Sequence, residues 1–107
     1  MPQFDHTAFE TDNIAESIAF YQSIFPDLEV LSQDSTWGLV SFAGTKLAFV
    51  TPGEHPHHIA FTVASLEELS RLADSYGKKI KVHRDRSQSF YISDPSSNAI
   101  EFVWYAG

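Results

Sequence analysis

Two stretches of the chain carry apolar residues at helical spacing, and each is followed by short apolar runs of strand length. Ile14, Ile18, Tyr21 and Phe25 share one face of a helix that Asn13 can cap, with Glu16 three residues on and Pro26 ending it. Leu66, Leu69, Leu72, Ala73 and Tyr76 repeat the pattern behind Ser65 and Glu68, with Gly77 placed to terminate it. Behind the first helix the runs 28–33, 36–42 and 46–50 read as strands, separated by Asp34-Ser35 and Ala43-Gly44. Behind the second, 79–84, 89–93 and 99–105 do the same, with Asp94-Pro95-Ser96-Ser97-Asn98 as the last turn.

The two halves are copies of one unit. Phe4-Asp5-His6-Thr7-Ala8-Phe9 aligns with Pro56-His57-His58-Ile59-Ala60-Phe61 at an offset of 52, matching His6 to His58, Ala8 to Ala60 and Phe9 to Phe61. The final strands align at an offset of 53, Leu47-Ala48-Phe49-Val50 against Ile100-Glu101-Phe102-Val103. A drift of one residue across the whole unit points to internal duplication rather than coincidence. The expected fold is therefore α+β: two β-α-β-β-β modules, residues about 1–52 and 53–107, each with a four-stranded sheet, in one domain covering 1–107. The stretch 51–56 joins them and is the one linker-like segment.

Composition narrows the partners. Seven Lys and Arg against fourteen Asp and Glu give a formal charge of −7, which repels polyanions and makes nucleic acid or an anionic membrane surface a poor main partner. There is no cysteine, so disulfides, thiolate catalysis and thiolate metal ligands are excluded. The N-terminus lacks the basic and apolar regions of a signal peptide, and no apolar run reaches the roughly 20 residues of a spanning helix. A soluble cytoplasmic protein is expected.

The repeat singles out two of five histidines. His6 and His58 head corresponding strands, and strand alternation groups His6 with Ala8 and Glu10, and His58 with Ala60 and Thr62, leaving His57 on the opposite face. The alanines beside them either leave room for a cavity or allow close sheet packing. Glu101 stands in a strand otherwise built for burial, where an unpaired carboxylate costs several kcal/mol, about 2–5 in most settings. A structural salt bridge would satisfy it. So would a cation held by two neutral imidazoles and one carboxylate, with positions left for water or substrate; without sulfur, Fe, Mn, Ni, Co and Zn suit that set.

These residues also carry a resemblance. The His6 strand leading into Phe20-Tyr21, the run His58-Ile59-Ala60-Phe61-Thr62-Val63, and Asp94-Pro95-Ser96-Ser97-Asn98-Ala99-Ile100-Glu101-Phe102 together resemble the vicinal oxygen chelate superfamily of glyoxalases, bleomycin-resistance proteins and dioxygenases. The resemblance covers essentially the whole chain. It implies paired β-α-β-β-β modules around a cavity, with a divalent metal on His6, His58 and Glu101 that chelates vicinal oxygens of a small substrate. Its enzymes include lyases, isomerases, thiol transferases and dioxygenases; its bleomycin-binding members instead sequester an antibiotic without metal. Ser89 and Tyr91, ahead of Asp94-Pro95, are similar to phosphonate-contacting residues of fosfomycin-modifying members, and Trp37 and Arg84 are further substrate-binding candidates. The repeat sets Ala48 opposite Glu101, where glyoxalases carry a carboxylate and the related epimerases Gln, which argues against both standard activities. Two-module members commonly pair, so a homodimer is implied in which one chain gives His6 and its partner gives His58 and Glu101.

Overall fold

The computed structural model describes residues 1–106 and contains the expected α+β content: eight strands and two helices. Its contacts divide into two compact units, His6–His57 and a second made of Met1–Asp5 with His58–Gly107.

In the first unit, the His6 end of β1 (Gln3–Glu10) is followed by α1 (Ile14–Ile24), β2 (Glu29–Gln33), β3 (Trp37–Phe42) and β4 (Thr45–Val50). The strands lie in the order β2-β3-β4-β1, antiparallel except for the parallel pair β1/β4. Asn13 caps α1 by accepting from the Glu16 N–H at 3.0 Å, while its own N–H donates to Thr11 Oγ1 at 3.1 Å rather than entering a reciprocal box. Ile14 and Ile18 then pack with Leu28, Val40, Leu47 and Phe49, so one face of the sheet is sealed by the helix. The β3–β4 turn needs left-handed backbone at both Ala43 (φ 49) and Gly44 (φ 75), the requirement of a tight two-residue hairpin. Strand β2 starts at Glu29, one residue later than the sequence pattern indicates, because Leu28 turns into the helix-side core; a register shift between Val30 and Ser32 kinks it.

The second unit repeats the plan with β5 (His58–Thr62), α2 (Leu66–Ser75), β6 (Lys81–Val82), β7 (Gln88–Ser93) and β8 (Ala99–Trp104), in the order β5-β8-β7-β6. Again the first and last strands of the unit, β5 and β8, are the parallel pair. Ser65 caps α2 by accepting from the Glu68 N–H at 3.1 Å. At the other end Gly77 (φ 65) lets Lys78 N–H reach the Ala73 carbonyl and Gly77 N–H reach that of Asp74, closing the helix as its position indicates. Leu69 and Ala73 pack on Val63 and Phe90. Met1–Asp5 belong to this unit through Phe4 against Phe61, Gln3 O accepting from Thr62 Oγ1, and Asp5 accepting from the Tyr105 hydroxyl.

One strand is much shorter than its pattern. The stretch 79–84 keeps only Lys81–Val82 as strand. Lys78 is held by the helix terminus, and beyond Val82 the chain turns at once, with Arg86 in left-handed backbone (φ 70) donating to the His83 carbonyl.

Candidate metal centre

Strand register decides which side chains share a face. In the first unit Ala8 pairs with Ala48 and Leu39 with Ala48, which puts Trp37 and His6 on the sheet face turned away from α1. The two rings meet edge to face at 5.9 Å, and the other side of Trp37 meets His55 at 6.3 Å. His57 is exposed; its Nδ1 accepts from the Glu10 N–H at 3.2 Å and its ring rests on Phe9.

In the second unit the corresponding face carries the chemistry. Ala60 pairs with Glu101 and Tyr91 pairs with Glu101 from the other side, so His58, Glu101 and Tyr91 point away from α2 together. His58 Nε2 lies 3.5 Å from Glu101 Oε1, and the Tyr91 ring stands edge to face on His58 at 5.3 Å. The Tyr91 hydroxyl donates to Glu101. Burial above all, then the Glu101 charge and that hydrogen bond, push the phenol well above its ordinary value of 10.0. The strand places Glu101 here because Asp94 builds the preceding turn, accepting from the N–H groups of Ser96 and Asn98 and from the Asn98 side chain. Those bonds, the Asn98 side chain's first, hold the Asp94 carboxyl below the usual range.

A separation of 3.5 Å is longer than the roughly 2.7–3.2 Å of a good hydrogen bond. It is close to the spacing of two donors on a tetrahedral cation, roughly 3.4 Å for ligand distances of about 2.1 Å. Burial is equally selective. Among the described residues, His6 (2% exposed), His58 (5%) and Glu101 (7%) are the only buried members of the His, Asp and Glu types. The repeat relation also holds in the structure, since Ala48 takes beside Ala8 the place that Glu101 takes beside Ala60.

The other sequence candidates divide. Ser89 is 1% exposed and its Oγ lies 2.7 Å from His83 Nε2, so His83, which sequence reasoning does not single out, is a direct neighbour of a candidate residue. The signal lies in alternation, since Lys81 pairs with Ser89 and His83 follows two positions later. Arg84 is exposed in the turn after β6. The nearby Asp85 carboxyl is lowered, chiefly by the hydrogen bond from the Ser87 hydroxyl.

Neither helix is long and apolar enough to cross a membrane. No protein-family model matches the sequence, and no curated protein matches it. Solved structures do. A glyoxalase/bleomycin resistance protein/dioxygenase superfamily member from Vibrio splendidus 12B01 is 14% identical with a TM-score of 0.66, over 97% of this chain and 99% of that one. Methylmalonyl-CoA epimerase from Mycobacterium tuberculosis is 15% identical with a TM-score of 0.75, over 98% and 89%. The 2,3-dioxygenase LapB from Pseudomonas sp. KL28 is 22% identical with a TM-score of 0.67, over 98% of this chain and 43% of that one. With its two β-α-β-β-β units and these matches along nearly its whole length, the chain has the fold of the vicinal oxygen chelate superfamily, the glyoxalase/bleomycin resistance/dioxygenase fold.

Proposed function

We propose that this protein is a small metal-dependent enzyme acting on a small oxygen-rich substrate, with a divalent cation held by His6, His58 and Glu101. The observation that carries the reading is the 3.5 Å spacing of His58 Nε2 and Glu101 Oε1, which fits two ligands of one ion better than a hydrogen bond. The selective burial of the same three residues supports it, as does the likeness in fold to an epimerase and a dioxygenase. A cation held there would supply Lewis acidity, stabilising negative charge that develops on substrate oxygens. The chain's own residues do the rest. Tyr91, a phenol that is neutral at ordinary pH, would orient Glu101 as a hydrogen-bond donor. Ala60, fully buried beside Glu101, adds no bulk on that face. That Lewis acidity would serve lyase, isomerase, thiol-transferase or dioxygenase chemistry alike.

The alternative is a metal-free protein that sequesters an antibiotic, as bleomycin-binding proteins do. Metal analysis of protein purified without an affinity tag separates the two. Tight stoichiometric uptake is expected in the parent chain and in His57→Gln, and Glu101→Gln should weaken it by at least the roughly 10–100-fold seen for supporting residues. A parent chain that takes up no divalent metal would sink the enzyme reading in favour of the binder.

A further inference from the structure

The outer side of α1 is not composed like that of a solvated helix. Its eleven residues include a single charge, Glu16, whereas the ten of α2 include four, Glu67, Glu68, Arg71 and Asp74. A helix with one face in water normally carries charged and polar residues there. Ile14 and Ile18 face the core of the unit, as expected. Phe20 and Ile24, one turn apart, do not: they are 63% and 52% exposed. One exposed apolar residue needs no explanation, but two neighbours on a helix poor in charge do.

The Phe20 ring is also held in place. It meets Tyr21 edge to face at 5.7 Å, and Tyr21 in turn meets Phe42 at 5.7 Å and Phe49 at 5.4 Å. Phe49 is 2% exposed, so a ladder of rings runs from the core of the first unit to an outward-facing one. An aromatic side chain positioned in advance loses little freedom on docking, and residues of this kind dominate binding at interfaces.

The charges around the patch have one sign. Asp12 and Glu16 lie at its N-terminal end and Asp27 and Glu29 beyond its C-terminal end, all exposed, and residues 1–45 contain no Lys or Arg. Carboxylates beyond a helix C-terminus oppose the helix dipole, so Asp27 and Glu29 do not serve the stability of α1 itself. Lys78 and Lys79 stand in that place after α2, where they complement the dipole.

We propose that the outer face of α1 docks a basic amphipathic helix of another protein. Aliphatic side chains of that helix cover Phe20 and Ile24, and its Lys and Arg side chains meet Asp12 and Glu16 at one end and Asp27 and Glu29 at the other. Because α1 is about 16 Å long at 1.5 Å per residue, a partner of roughly three turns spans it. The inference does not depend on the metal centre, since His6 lies on the sheet face turned away from α1.

Fluorescence anisotropy with a labelled Leu/Lys peptide of about 18 residues, patterned as an amphipathic helix, tests it on the full chain. Binding is expected at about 20 mM salt, at least tenfold tighter than for a scrambled peptide of the same composition or for a Leu/Glu counterpart. It should weaken at least tenfold at about 0.5 M salt, where the screening length falls to a few ångströms. Phe20→Ser with Ile24→Ser should weaken it at least tenfold, and so should Asp27→Lys with Glu29→Lys; circular dichroism checks that both variants are folded. Absence of binding, equal binding of the scrambled peptide, or binding that neither pair of substitutions alters would overturn the proposal. So would sedimentation showing that the parent chain self-associates and that Phe20→Ser/Ile24→Ser abolishes this, which assigns the face to a second copy.

Discussion

At Gly38 the side chains of α1 lie close against the sheet, and adding one methyl group there should be costly. A Cβ at this position would sit 2.8 Å from Ile14 Cγ2 and 3.2 Å from Ile18 Cδ1. Carbon atoms in good contact lie roughly 3.5–4.0 Å apart, so the helix has to retreat by about 0.7 Å or more. Overpacking of this kind costs about 1–3 kcal/mol. Against it stands the smaller entropy loss of alanine on folding, about 0.4–1 kcal/mol. The clash wins, and Gly38→Ala should lose about 1–2 kcal/mol. For a domain of this size each kcal/mol is worth about 4–8 °C, so Tm should fall by about 5–15 °C. Urea and thermal unfolding read this directly, with an unchanged m-value showing that only stability has moved. Ile14→Leu removes the offending branch while conserving volume, so Gly38→Ala should cost less in that background, with a coupling of at least about 0.5 kcal/mol. A Gly38→Ala protein as stable as its parent, or more so, would refute the close seating of α1 on β3. The site is involved as well, because Trp37 precedes Gly38 and its ring meets His6.

Two further predictions concern the proposed metal centre. Tyr91→Phe removes the hydroxyl that donates to Glu101 and should weaken cation affinity about 10–100-fold by calorimetric titration. The same variant has a stability signature: a phenol raised on folding contributes stability below its ordinary value near 10.0 that is lost as pH climbs above it. Denaturation of the parent between about pH 9 and 11 should therefore fall more steeply than that of Tyr91→Phe; parallel curves would remove Tyr91 from the site. If two copies share the site, as the sequence resemblance implies, His6 of one chain would meet His58 and Glu101 of the other. Heterodimers of His6→Ala and Glu101→Ala chains should then regain an intact site by metal titration, and no recovery in verified heterodimers returns all three ligands to a single chain.

Much of the architecture is legible in the order of residues alone. The duplication can be read because it is written in identities, His6 on His58 and Ala8 on Ala60, and the helix caps because Asn13 and Ser65 act on N–H groups only three residues away. Glu101 is conspicuous because a carboxylate in an apolar strand violates the local pattern. What stays hidden depends on pairing between strands. Tyr91 lies ten residues from Glu101 and meets it only through the β7–β8 register, and His83 reaches Ser89 only because β6 and β7 form a tight hairpin. The truncation of β6 is equally illegible: its residues suit a strand, and the helix terminus at Lys78 and the turn at Arg86 overrule them.

The turn that Asp94 organises has a consequence for how this chain can vary over time. Five residues separate Ser93, the end of β7, from Ala99, the start of β8, and the side-chain hydrogen bonds of the turn converge on one carboxylate. Losing or gaining a single residue between 94 and 98 would slide β8 by one place. Glu101 would then swing into the apolar layer beneath α2, and Ile100 or Phe102 would take its seat beside Ala60. Substitutions in that loop are graded in their effect, whereas length changes are all or nothing. The segment 51–57 lies outside the regular strands, so a change of length there shifts no strand pairing, though it would disturb the seats of His55 on Trp37 and His57 on Glu10. Descendants of this sequence should therefore vary in length between the modules more readily than in the Asp94 loop, which is held to a fixed count.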